Sequence, residues 1–276
     1  MSPFGAAANI PVRLFRAFAY YAPKLRKIFV WAFQSREDTN YTYSLSDHSL
    51  SYLAHTIAVV TGANIQTVQA YIDEAQSDDR LKDTVISALR ESQFRFVSDP
   101  RCEFGRRLGW YAFVRILKPR VVIETGVDKG HGAIVLCAAL IRNRKEGAEG
   151  RYYGTDINPD AGWLLRSPYS DVGEILVGDS IQSLLSFAGP IDLFINDSDH
   201  SAEYEYREYQ TVAPKLTRRA VVLGDNAHVT PMLARFAAES GMRFVYFHEV
   251  PRDHWYPGGG IGIAFRVPCG DSETET

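Results

Sequence analysis

The 276-residue chain is poor in several features that would each have announced a function. Its three cysteines, Cys102, Cys137 and Cys269, lie far apart and without metal-ligand spacing. That excludes a disulfide scaffold and a thiolate metal centre, and it predicts reduced thiols in a reducing, cytoplasmic setting. A net charge of -3 gives no global attraction to nucleic acid. No repeat or low-complexity tract occurs beyond the polar tail Asp271 to Thr276, which is expected to fray. No apolar run is long enough to span a bilayer. The candidate stretch, Pro11 to Phe33, is broken by Arg13, Arg16, Lys24, Arg26 and Lys27, so it fits neither a signal peptide nor a spanning helix. An amphipathic helix on an anionic membrane is one reading of it. A lid or homodimer contact with solvated cations is the expected one, and membrane contact is not expected.

Hydrophobic residues make up 46% of the chain, ample for a core. Residues 44 to about 117 read as helices only. Ser46 can cap a helix carrying Leu50, Leu53, Ile57 and Val60, and Gly62 stops it. Asp99-Pro100 looks like a cap followed by a first-turn proline, opening a helix to Leu117. From Arg120 short apolar strands alternate with helices. That spacing predicts right-handed βαβ units and an α/β, doubly wound, mostly parallel Rossmann-like sheet of seven strands. The expected organisation is a helical N-terminal extension or lid over 1–117, a catalytic unit over 118–270 and a tail over 271–276.

Ile191-Asp-Leu-Phe-Ile195 and Ala220-Val-Val-Leu223 read as buried strands, and each ends in a chemically rich stretch: Asn196-Asp-Ser-Asp-His200 and Gly224-Asp-Asn-Ala-His228. In an open parallel sheet, ligands bind at these carboxyl ends. On adjacent strands Asp197 would lie roughly 5 Å from Asp225 and Asn226. Two carboxylates and an amide oxygen suit a hard cation, Mg²⁺. His200, three residues beyond Asp197, is placed to act as a base, with Asp199 and His228 in supporting roles. Taken singly, Asp197 and Asp225 also read as helix N-caps, and His200 as a loop residue.

The first strand ends in Glu124-Thr-Gly-Val-Asp-Lys-Gly-His-Gly132. Its G-x-x-x-G-x-G spacing is not the dinucleotide fingerprint G-x-G-x-x-G, which argues against a nicotinamide cofactor. Glu124, Thr125, Gly126 and Gly130 would meet a ligand there. Asp156 ends the second strand, where a carboxylate can take both ribose hydroxyls, and Asp179-Ser180 ends the third, beside an adenine edge. Such residues suit a nucleoside without phosphate, namely S-adenosylmethionine.

On these residues the chain resembles the class I S-adenosylmethionine-dependent methyltransferases over about Leu108 to Arg266. Asp197-x-x-His200 with Asp225-Asn226 is similar to the metal-dependent O-methyltransferases. Asp197 and Asp225-Asn226 match the metal ligands of their catechol members, where a lysine stands in place of His200. A histidine base in an Asp-x-x-His motif resembles the macrolide sugar O-methyltransferases, which carry acids in place of Asp-Asn. Tyr41-Thr-Tyr-Ser-Leu-Ser-Asp47 looks like actinobacterial polysaccharide-linked enzymes such as the methylmannose polysaccharide 1-O-methyltransferases. The resemblance implies an enzyme that methylates a sugar or glycoside hydroxyl with Mg²⁺ and with His200 as general base. A phenolic acceptor, or a noncatalytic protein of the same fold, are the alternatives. The expected partners are a small-molecule or oligosaccharide acceptor and a second copy of the chain, and no nucleic acid. The loop Pro251 to Gly260, with Trp255 and Tyr256, could stack on a sugar ring.

Overall fold

The computed structural model describes residues 9–267, so Cys269 and the expected tail lie outside the described residues. A helix α1 (Ile10–Gln34) is followed by α2 (Asp47–Thr61), α3 (Ile65–Gln76), α4 (Asp79–Glu91) and α5 (Arg107–Leu117). The alternating part then runs β1 (Val121–Thr125), α6 (His131–Lys145), β2 (Arg151–Asp156), β3 (Gly173–Val177) and α7 (Ser180–Ser186). It continues with β4 (Ile191–Asn196), α8 (Ala202–Val212), β5 (Leu216–Asp225), α9 (Met232–Glu239), β6 (Arg243–Phe247) and β7 (Ile261–Phe265).

The seven strands form one sheet in the order β3-β2-β1-β4-β5-β7-β6. Strands β1 to β5 pair in parallel, and β7 runs antiparallel to both its neighbours. This is the seven-stranded, mostly parallel Rossmann-like architecture expected from the alternation. Strand order reverses between β1 and β4, and a crevice at that point lies outside the strands' carboxyl ends.

Both faces of the sheet are covered, which is why β4 and β5 read as continuous apolar runs. One face joins α2 to α6 in a single core, with Leu53, Ile57, Val68 and Trp110 beside Val122, Ile134 and Leu193. The other packs α8 and α9 through Tyr209, Phe236 and Phe194. The helical extension from α2 onward therefore shares the core of the sheet. Local signals act as expected at several ends: Gly62 takes the left-handed conformation after α2, and Asn64 and Asp78 cap α3 and α4 through side-chain hydrogen bonds.

Asp99-Pro100 does not open a helix; α5 begins at Arg107. The Asp99 carboxylate is used elsewhere, accepting hydrogen bonds from Ser35 Oγ at 2.7 Å and the Arg36 amide at 3.0 Å. It holds the chain where it leaves α1. A capping carboxylate looks the same in sequence whichever amide it serves.

Register sets the site. Thr125 pairs with Asn196 and Asn196 with Gly224, so the next residues, Gly126, Asp197 and Asp225, emerge side by side. The turn after β1 passes so close to β4 that a Cβ on Gly126 would stand 2.1 Å from the Asp197 carbonyl oxygen, and its φ is +79°. Gly126→Ala is therefore expected to destabilise the fold by at least about 1–3 kcal/mol, measurable as a lower denaturant midpoint with an unchanged slope.

Candidate active site at the strand ends

Arg106, one residue before α5, organises the site. Its guanidinium donates through Nε and Nη2 to the two oxygens of Asp225, and through Nη1 to Glu249 Oε1 at 3.1 Å and Tyr43 Oη at 2.8 Å. Tyr43 Oη donates to Glu249 Oε2 at 2.9 Å, and the Gly259 amide donates to Glu249 Oε1 at 3.0 Å. All of these groups are buried. Burial would raise the pKa of Asp225, but the bidentate arginine outweighs it and holds the carboxyl below its ordinary range.

Asp197 emerges beside Asp225, and its pKa is raised well above the ordinary value. The causes are burial first and the Asp225 charge second. Two adjacent carboxyls cannot both ionise cheaply, so the proton sits on Asp197 and the charge on Asp225, beside the cation. His200 Nε2 lies 3.9 Å from Asp197 Oδ1 and 3.3 Å from Asn226 Nδ2. Asn226 takes a left-handed φ of +52°, donates to Asp225 Oδ2 at 3.1 Å and accepts from Tyr256 Oη at 3.4 Å. The structure thus brings together Asp197, His200, Asp225 and Asn226. As arranged, however, this donor set does not fit a magnesium ion. A carboxylate offers about four lone-pair sites, and Asp225 already meets two donors from the Arg106 cation and one from Asn226. Arg106 stands as the counter-charge that a metal would have supplied. Among the described residues no group of three or more acids, histidines or cysteines is gathered to hold a metal.

A cavity of about 170 Å³ opens beside this cluster, lined by Arg106, Arg107, Glu124, Gly126, Asp128, His131 and Asp197 among others. Glu124 is buried and accepts a hydrogen bond from Tyr152 Oη at 2.5 Å, and burial pushes its pKa up to about 8. Nε2 of His131 and Nε of Arg107 are buried without partners. Burial, with the charges of Arg107 and Lys129, pushes the His131 pKa well down, so its ring is neutral. Unpaired buried polar atoms lining a cavity are what a polar ligand would satisfy. Over the cavity rim, Tyr41 stacks on His131 with ring centroids 5.6 Å apart, and Lys129 Nζ lies 3.3 Å from the Tyr41 ring centre.

The other expected ligand-binding residues divide by what they touch. Asp156 accepts from the amides of Val127, Asp128 and Asn158, each at 2.9 Å, so its carboxylate braces the glycine loop at the ligand end. Thr125 and Ser180 point to Glu208, a buried carboxylate that also accepts from Asn196 Nδ2 and Ser198 Oγ. Their hydroxyls tie strand ends together beneath the site. Asp179 caps α7 and accepts from Tyr204 Oη at 2.9 Å. Gly130, with φ +97°, turns the loop into α6 and passes 3.1 Å from Gly162 at its Cβ position. Sequence reading passed over Arg106, Arg107 and Glu208. Only the pair of arginines after Gly105, at the start of an apolar helix, offered a signal.

Comparison with known proteins agrees with this architecture. Residues 123–227, less than half of the chain, match a family described as a methyltransferase domain. No curated protein matches the sequence. A solved O-methyltransferase from Streptomyces achromogenes, TomG, involved in tomaymycin synthesis and in complex with SAM, superposes with a TM-score of 0.51 at 16% identity. That alignment covers 69% of this chain and 91% of that one. An O-methyltransferase from Bacillus cereus in complex with SAH aligns at 14% identity over 79% of this chain and 99% of that one, with a TM-score of 0.47. Residues 123–227, from β1 to the turn after β5, are thus similar to a methyltransferase domain, and the fold around them is that of the solved O-methyltransferase.

Two outcomes follow from the buried charges. Arg106→Met leaves Asp225 and Glu249 buried without their cation and is expected to lower stability by about 3–5 kcal/mol in denaturant unfolding. Glu124 has a folded pKa near 8 against an ordinary value of 4.5, so its contribution to stability is full below about pH 4 and is lost as pH rises through 8. Unfolding of Glu124→Gln across this window is expected to show a flatter pH dependence than the parent.

Proposed function

We propose that the protein is an S-adenosylmethionine-dependent O-methyltransferase that methylates a sugar or glycoside hydroxyl, with His200 as general base and without a divalent metal. The observation that carries this reading is the placement of His200 Nε2, on the Asp197–Asn226 edge, next to a cavity with unpaired polar groups at the ends of parallel strands. The methyltransferase domain match supports the reaction class. The TomG fold relative, an O-methyltransferase in complex with SAM, supports the donor and the oxygen acceptor.

S-adenosylmethionine, when bound, supplies an electrophilic methyl group on a sulfonium. The residues of the cavity suit its amino-acid end. Arg107, whose Nε is unpaired at the cavity, would pair with its carboxylate, and Glu124 would accept from its ammonium group. Asp156, held at the loop by three amides, retains lone-pair capacity toward a ribose. His200 removes the acceptor's proton at Nε2 as the new bond forms. Asp197 Oδ1, 3.9 Å from His200 Nε2, and Asn226 Nδ2, 3.3 Å from it, fix the position of the ring. The loop after β6 supplies the acceptor face. Tyr256 Oη reaches Asn226, itself 3.3 Å from His200, and Trp255 packs beside Tyr256 with ring centroids 6.1 Å apart, so aromatic rings of this loop adjoin the site. That combination suits a sugar, whose C–H face packs on rings and whose hydroxyls take hydrogen bonds.

Transfer of labelled methyl to a panel of mono- and oligosaccharides and of catechols tests the proposal. Full activity is expected to survive exhaustive chelation, and His200→Ala is expected to lower kcat about 10²–10⁴-fold while leaving donor affinity unchanged. Activity restored only by Mg²⁺ would sink the metal-free site, methylation of catechols alone would replace the acceptor, and donor binding without turnover on any acceptor would leave a binding protein.

A further inference from the structure

Helix α1 is the one long element in the described residues that buries none of its own side chains. It touches the body near its C-terminal end only along one edge. Lys27 pairs with Asp253 at 3.6 Å, and Trp31, one turn on, packs against Trp255 and His254 with ring centroids at 5.0 and 6.5 Å. At 3.6 residues per turn, Phe15, Phe18, Leu25, Phe29 and Phe33 fall on a stripe roughly 80° wide on the side opposite Lys27 and Trp31. The structure leaves this stripe open, with Phe15 74% and Phe33 87% exposed. The helix thus presents its apolar face outward and its mixed, basic face inward. A lid would do the reverse.

Charge decides what covers that face. The helix holds Arg13, Arg16, Lys24, Arg26 and Lys27 and no acidic residue, within a chain whose net charge is -3. Two copies pairing through these helices would set two basic segments alongside each other with no acidic residue on either helix to meet a cation, which works against a homodimer at this face. An anionic lipid surface has the opposite demand. Its headgroups attract lysine and arginine, and its acyl boundary accepts phenylalanine and leucine to a depth of a few ångströms. No helix among the described residues is long and apolar enough to cross a membrane. We propose that α1 lies in the plane of an anionic bilayer and docks the protein there through its aromatic face. Trp31 then connects the docked helix to Trp255 in the loop after β6. This inference stands independently of the reaction the site performs.

Flotation of the full chain with vesicles of phosphatidylcholine alone, or with about a third phosphatidylglycerol, tests it. Binding is expected to the anionic vesicles only and to weaken at high salt. Arg13→Gln with Arg16→Gln is expected to lower the partition coefficient about twentyfold, from the contribution of each cation near a charged surface. Phe15→Ser, Phe18→Ser and Phe29→Ser together are expected to abolish binding while leaving the melting transition in place, because these side chains are largely exposed among the described residues. Failure to float with anionic vesicles would overturn the proposal. So would equal binding by the arginine variant, or light scattering that shows a dimer dissociated by the phenylalanine substitutions while vesicles bind nothing.

Discussion

The structure turns on a buried guanidinium. Arg106 gathers Asp225 from the end of β5, Glu249 from beyond β6 and Tyr43 from the segment ahead of α2. Removing such charges from water is unfavourable, and only near-complete pairing offsets it. Here that pairing ties four distant parts of the chain into one junction. Neighbouring backbone follows: Leu45 bridges to Pro251, and the Ser46 amide reaches the Val250 carbonyl at 2.9 Å. The helical extension is thereby sewn to the loop that carries Trp255 and Tyr256. The same arginine fixes the protonation of the acid pair, with charge on Asp225 and the proton on Asp197, and so sets the electrostatics that His200 meets.

Beneath this junction a second buried group governs the strand ends. Glu208 on α8 receives hydrogen bonds from Thr125, Ser180, Asn196 and Ser198, which close β1, open α7, close β4 and begin the turn beyond it. Burial still pushes its pKa upward against these four donors. Arg106 works from above the sheet ends and Glu208 from below. Between them the β1 turn has room only for Gly126 against the Asp197 carbonyl. The glycine loop is therefore shaped by protein contacts before any ligand is considered.

Much of the fold was legible because its signals are local or periodic. Short apolar runs closed by Asp or Gly mark parallel strands covered on both faces, and their alternation with helices leaves few topologies. The convergence of Asp197, His200, Asp225 and Asn226 was legible too, since it needs only that β4 and β5 be neighbours in register. Partners were not legible where one residue type can serve several. Asp99 caps the exit of α1 in place of the start of α5, Thr125 and Ser180 turn to Glu208, and the Asp225 oxygens meet an arginine more than a hundred residues away. No window of sequence contains such pairs.

The sequence by itself determined the α/β class, the strand ends at which chemistry would gather, and the basic aromatic character of α1. These follow from hydrophobic period, turn residues and composition, which the chain carries locally. Tertiary structure alone decided that Asp225 is paired with Arg106, that the Asp197 carboxyl beside it is pushed toward its neutral form, and that α1 turns its apolar face away from the body. Each of these depends on which groups share a buried volume or are left out of it, and that depends on contacts between residues far apart in the chain.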